Sequence, residues 1–236
     1  MESINKAVIM AAGFGSRMRP LTETTPKPLI KVGEKAMIET ILDGLSSKGI
    51  TEIYIVVGHL KEAFQILKEK YPNINIIENP YYDTCNNISS LYVARKHLSQ
   101  AFIIDGDQII QEAAFDLKVE KSGYACQWQE GETKEWILKV EDGIVVDCST
   151  KGGREGWQLF SLSRWNKADG ALLGQLVEEA FAKEENRGKY WDEIPLVDYK
   201  EKFRLGIYQI EPGQIIEIDS LDELEEVRAT MEVKRN

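Results

Sequence analysis

Ala7-Val-Ile-Met10 runs directly into Ala11-Ala-Gly-Phe-Gly-Ser-Arg-Met-Arg-Pro-Leu-Thr22, and Pro26-Lys27-Pro28-Leu29 follows shortly after. The apolar run is too brief for a helix and is bounded by glycine signals, so it predicts a buried strand. A glycine-rich loop at the end of a first strand turns its backbone N–H groups into a concavity that binds phosphate. Residues 1–35 also hold six Lys/Arg (Lys6, Arg17, Arg19, Lys27, Lys31, Lys35) against three acids (Glu2, Glu23, Glu34), in a chain whose formal net charge is −10. That local excess points to a polyanionic ligand. Two common glycine loops do not fit. The dinucleotide fingerprint needs a third glycine where Met18 stands, and the Walker loop needs a Gly-Lys-Ser/Thr triplet that does not follow Gly15.

Outward from this loop, strand-like runs at Ile53–Val57, Ile74–Ile77 and Phe102–Ile104 alternate with amphipathic stretches near 36–48, 60–70 and 88–99. That rhythm indicates βαβ units and a mainly parallel sheet. From about residue 123 the rhythm changes to close-spaced runs, Tyr124–Trp128, Trp136–Val140 and Ile144–Cys148. Glu141-Asp-Gly143 joins the last two as an antiparallel hairpin. A helix is expected over about 169–186, strands near 203–210 and 214–218, and a final helix from Ser220. The expected fold class is α/β, a Rossmann-like and mainly parallel sheet flanked by helices with a smaller antiparallel β insertion. A single domain over 1–236 is the simplest division, its nucleotide-binding part at about 1–110 and its acceptor-binding part at about 111–236.

Composition narrows the function. The 236 residues, 43% hydrophobic, suffice for one large core. No apolar run approaches the roughly 20 residues that span a bilayer, and Met1-Glu2-Ser3 lacks a basic signal-peptide start, so a cytoplasmic location with no membrane insertion is expected. Cys85, Cys126 and Cys148 are odd in number without C-x-x-C spacing and read as reduced thiols. With only His59 and His97, a zinc site or a histidine triad is disfavoured. The acidic balance argues against nucleic acid as a partner.

Asp105-Gly-Asp107 and Asp219 each lie just past a strand-like run, where open α/β sheets gather ligands. Two such carboxylates suit Mg²⁺, which takes one or two of them along with phosphate oxygens and waters. Ser220 and Glu223 form a capping box, which accounts for those two residues but not for an acid at 219. In Cys85-Asn-Asn-Ile-Ser-Ser-Leu91, polar side chains can either cap a helix or meet the edge of a base. Thr133-Lys-Glu-Trp136 and Lys189-Tyr-Trp-Asp-Glu193 set tryptophans among charges, a pattern suited to a desolvated cation and equally open to core packing.

The signature A-A-G-x-G-S-R-M-x-P-L-T with P-K-P-L resembles that of nucleotidyltransferases that join a nucleoside triphosphate to a phosphorylated small molecule. With N-N-x-x-S-L-Y, E-W, Y-W-D and E-I-D-S added, the chain is similar along nearly its whole length to bacterial phosphocholine cytidylyltransferases. The resemblance implies a GT-A-like fold and a site. Ala11, Ala12, Gly13, Gly15 and Ser16 would wrap the nucleotide, with Arg17 and Lys27 neutralising its triphosphate. At least one of Asn86, Asn87, Ser89 and Ser90 would contact the base, and Asp107 and Asp219 would hold Mg²⁺. Trp136, Tyr190 and Trp191 would enclose the choline head, beside the Asp192 carboxylate. The implied partners are CTP and phosphocholine. The segment 152–165 departs from the pattern. 2-Aminoethylphosphonate or another phosphorylated amine or sugar remains an alternative acceptor, and a nucleotide-binding module without turnover is the alternative of a different class.

Overall fold

The computed structural model describes residues 2–233. Nine strands form the main sheet: β1 (Lys6–Ala11), β2 (Glu52–Val57), β3 (Ile74–Glu78), β4 (Ala101–Asp105), β5 (Gly123–Thr133), β6 (Ile137–Glu141), β7 (Ile144–Ser149), β8 (Gly153–Trp165) and β9 (Gly206–Gln209). Their order is β7-β6-β8-β4-β1-β2-β3, with β5 paired to β8 and to β9. β1 lies parallel between β2 and β4, and β2 pairs parallel with β3. The sheet therefore has the parallel half expected of βαβ units. Successive residues of β1 face opposite layers. Ala7, Ile9 and Ala11 pack with Ile38, Ile41, Leu42 and Leu45 of the helix Met37–Ser47. Val8 and Met10 pack with Leu91 of the helix Ile88–Ala94 and with Leu173 and Leu176 of the helix Lys167–Phe181. The two apolar faces of one strand thus explain its unbroken hydrophobic sequence.

Beyond β4 the sheet becomes antiparallel through β8, a 13-residue strand that the sequence pattern did not predict. One edge of β8 pairs with β5 from Gly123↔Arg164 to Thr133↔Gly153. Its other edge takes β6 at Trp157 and Gln158, and β4 at Leu162 to Trp165. The expected hairpin is β6–β7, where Asp142 (φ 49°) and Gly143 (φ 71°) both have positive φ, as a tight hairpin turn demands. Two helical stretches are shorter than expected. Residues 60–70 form a 3₁₀ segment, Lys61–Ile66, followed by a single turn, Leu67–Lys70; the helix from Ile88 stops at Ala94 and tightens into 3₁₀ over Arg95–His97. Among the described residues no helix is long and apolar enough to cross a membrane.

A small ribbon sits outside the main sheet. Gln108–Ile110 pairs antiparallel with Ile215–Glu217, and Ile109 and Ile218 join Met18, Ile30, Val32, Met37 and Leu224 in a separate apolar cluster. This ribbon brings the end of the chain back to the carboxyl end of β4.

Candidate active site

Two adjoining cavities of about 460 Å³ and 260 Å³ open at the carboxyl ends of β1 and β4. The phosphate loop lines the first. Gly15 holds φ +61°, and a Cβ there would lie 2.9 Å from Thr22 Cγ2 and 3.0 Å from Lys27 Cβ, so both conformation and space require glycine. The Thr22 hydroxyl donates to the Gly15 carbonyl at 2.9 Å, and the His59 N–H donates to the Ala12 carbonyl at 3.0 Å, which pins the loop from two sides. Ala11, Ala12, Gly13, Gly15, Ser16, Arg17 and Lys27 all face this cavity.

Lys27 is only 7% exposed, yet its ammonium sits between two carboxylates. Nζ donates to Asp107 Oδ2 at 2.6 Å and to Asp219 Oδ1 at 2.8 Å, while Arg17 reaches Asp219 Oδ2 at 2.9 Å. Asp107 and Asp219 converge because the Gln108↔Glu217 pair sets the register of the ribbon, and each aspartate lies just beyond it. The helix start holds Asp219 as well: Glu223 Oε2 accepts from the N–H groups of Asp219 and Ser220, and the Ser220 hydroxyl accepts from the Glu223 N–H, the expected capping box. Burial opposes the charge on Lys27, but the two carboxylates outweigh it and hold the ammonium above its ordinary value. Burial likewise tends to raise the Asp219 carboxyl, while Lys27 and Arg17 together bring it below the usual range.

Asp107 Oδ2 and Asp219 Oδ1 thus converge on one point, which the Lys27 ammonium fills. Among the described residues no group of three or more His, Cys, Asp or Glu side chains is arranged to hold a metal. Two hard oxygen donors beside a phosphate loop fit Mg²⁺, which completes its octahedron with phosphate oxygens and waters, and fit a closed transition-metal site poorly.

Asn86, Asn87 and Ser90 border the first cavity, whereas Ser89 turns inward. The Ser89 hydroxyl donates to the Asn86 carbonyl at 2.8 Å and accepts from Asn79 Nδ2 at 2.9 Å. Asn79, 1% exposed, also donates to the Ser90 hydroxyl at 3.1 Å. Ser89 is therefore a supporting residue, and the expectation that it touches the base is corrected.

The second cavity is lined by Trp136, Tyr190 and Asp192, together with Asn87, Asp105, Asp107, Gln108, Glu135, Ser161 and Glu217. Trp136 and Tyr190 meet edge to face with centroids 5.9 Å apart, and Tyr190 is half exposed. Trp191 is placed elsewhere. It is 2% exposed, stacks on Tyr124 at 6.0 Å and meets Trp165 at 6.2 Å, and it lines neither cavity. The three-walled aromatic enclosure is thus corrected to two walls, with Trp191 as core behind them. Trp191→Ala should lower stability by about 3–5 kcal/mol, a fall in melting temperature of roughly 10 °C, readable by thermal unfolding. An unchanged midpoint would contradict the core assignment.

The family model for nucleotidyl transferases matches residues 6–124, the parallel half of the sheet and its phosphate loop. The chain belongs to the nucleotidyl transferase family. Two curated relatives match almost end to end. The 2-aminoethylphosphonate cytidylyltransferase of Lancefieldella rimae is 37% identical over 221 residues, covering 92% of this chain and 89% of the relative. The choline-phosphate cytidylyltransferase of Streptococcus pneumoniae is 36% identical over 227 residues, covering 94% and 97%. The solved structure of CTP:phosphocholine cytidylyltransferase from Streptococcus pneumoniae superposes with a TM-score of 0.90 at 33% identity, over 96% of this chain and 98% of that one.

Several residues of this nucleotidyl transferase's second cavity escaped the sequence reading. Gln108 is 2% exposed, and its Oε1, like Asp192 Oδ1, is buried with no hydrogen-bond partner. Burial pushes the Asp192 carboxyl up to about 7, with the Tyr124 hydroxyl pulling the other way, and burial pushes Glu217 up to about 8. Glu217 had one legible signal, a lone acid inside the apolar run Ile215-Ile-Glu-Ile218. Ser161 had none, because it lies on the unpredicted strand β8.

Proposed function

We propose that this nucleotidyl transferase is a cytidylyltransferase that activates a phosphorylated amine, transferring CMP from CTP to phosphocholine and releasing CDP-choline and pyrophosphate. One observation carries the reading. A phosphate-loop cavity opens onto a second cavity walled by Trp136 and Tyr190 and lined with carboxylates, and the aspartate pair lies where the two meet. The full-length similarity to two cytidylyltransferases supports it. A phosphocholine oxygen would form the new bond to the α-phosphorus as the bond to the pyrophosphate oxygen breaks. The attacking phosphate is already ionised, so no general base is needed, and catalysis is positioning plus charge stabilisation. Lys27 and Arg17 would stabilise the charge accumulating on the departing pyrophosphate. A divalent ion bound by Asp107 and Asp219 would neutralise the α-phosphate and the incoming phosphate.

Asp192 Oδ1 and Gln108 Oε1 favour a second reading. Both are buried acceptors that a primary ammonium satisfies with hydrogen bonds and a trimethylammonium cannot. 2-Aminoethylphosphonate carries such a group. Competition between phosphocholine and 2-aminoethylphosphonate decides between the two. If the aromatic walls dominate, phosphocholine wins, and Trp136→Ala raises its KM about tenfold while the KM for CTP stays within about twofold, as loss of one aromatic face on a desolvated cation requires. Preference for the primary amine, with Trp136→Ala affecting both acceptors equally, would reject the choline reading.

A further inference from the structure

Asn86 and Asn87 border the nucleotide cavity, but their hydrogen bonds run to a distant segment of the chain. The Asn86 N–H donates to the Arg187 carbonyl at 2.8 Å and its Nδ2 to the Gly188 carbonyl at 3.2 Å. The Trp191 N–H donates to Asn87 Oδ1 at 2.8 Å, across 104 residues. Asn86 Oδ1 in turn accepts from the Asn87 N–H at 2.7 Å, which fixes the two amides relative to each other. The segment they hold carries Tyr190 and Asp192, two side chains that line the second cavity, and Asn87 itself lines both cavities. Trp191 is 2% exposed, and Asn87 Oδ1 is the acceptor that holds its N–H. With one lone pair of Oδ1 committed to Trp191, the donor that Asn87 can offer a nucleotide is its Nδ2.

We infer that Asn87 is a positioning residue for the acceptor: its side-chain oxygen fixes the backbone that presents Tyr190 and Asp192, from the same two-residue strut that borders the nucleotide. The inference rests on the second cavity being the acceptor site. Asn87→Asp separates the two roles of the side chain, since a carboxylate still accepts from the Trp191 N–H but has no Nδ2 donor. Asn87→Ala removes both.

The experiment measures both KM values, melting temperature and tryptic cleavage after Arg187 and Lys189 for the parent and the two variants. Asn87→Ala is expected to raise the KM for phosphocholine about tenfold and to speed cleavage in 187–191 several-fold, while any rise in the KM for CTP is shared by Asn87→Asp, which lacks the same Nδ2 donor. Asn87→Asp is expected to restore the acceptor KM and the cleavage rate to near the parent values. The inference is overturned if Asn87→Ala leaves the acceptor KM and the cleavage rate at the parent values, or if Asn87→Asp is no better than Asn87→Ala in acceptor KM and cleavage. If the parent turns over no phosphorylated amine, the acceptor reading fails on its own. Cleavage then decides the role of Asn87, and equal rates in Asn87→Ala and the parent overturn it.

Discussion

Lys27→Ala should lose about a hundredfold or more in turnover and unfold at a lower temperature, whereas Arg17→Ala should lose turnover with little change in its unfolding midpoint. A positioned charge on a transferring phosphate is worth roughly 3 kcal/mol, which sets the rate effect. The two cations differ in their surroundings. In the sequence both occupy a glycine- and proline-rich loop, where an exposed side chain contributes little to stability. The structure keeps that expectation for Arg17, whose side chain is 72% exposed, and corrects it for Lys27, which is buried between Asp107 and Asp219. Its loss leaves two carboxylates facing each other without a counter-ion. Since those carboxylates stay 35% and 34% exposed, the destabilisation is about 1–2 kcal/mol rather than the larger loss at a sealed pair. Steady-state turnover and thermal unfolding of both variants check this. Near-normal turnover in Lys27→Ala would show that the charge of the loop does not act on the reacting phosphate.

The second large effect concerns metal. Asp107→Asn and Asp219→Asn should each raise the Mg²⁺ concentration needed for half-maximal activity tenfold or more, because the amide retains an oxygen donor and loses the charge that neutralises the ion. Asp219 has other partners, so its substitution also frees one side of Lys27 and of Arg17. Activity titrated against Mg²⁺ for each variant separates these roles. If Asp219→Asn titrates like the parent, Asp219 serves only to orient the two cations and the helix start.

The parts of the site that were legible in the sequence are those whose chemistry is local. The apolar run from Ala7 to Met10, the glycines at 13 and 15 and the cations at 17 and 27 lie within one turn-rich stretch, and their spacing alone implies a phosphate loop. The helix Met37–Ser47 and the hairpin at Asp142-Gly143 are equally local. What was not legible depends on long-range packing. Asp107 and Asp219 were legible as acids just past strand-like runs, but the three-residue ribbon that brings them together pairs across the chain, and no periodicity reports such pairing. β8 was hidden by Gly153, Arg154, Glu155 and Gly156 at its far end, which mask the strand signal of Trp157 to Trp165. Trp191 looked like a ligand-facing residue because Lys189, Asp192 and Glu193 surround it in sequence. In the folded chain Tyr190 turns toward the cavity and Trp191 turns into the core, so charged neighbours in sequence do not imply a charged environment in space.

Pyrophosphate release from CTP, with Mg²⁺ present and each acceptor added in turn, tests the central claim most directly. Release should depend on the acceptor, with phosphocholine or 2-aminoethylphosphonate giving turnover at least tenfold above CTP alone. No release with either phosphorylated amine, or equal release when another nucleoside triphosphate replaces CTP, would contradict the account.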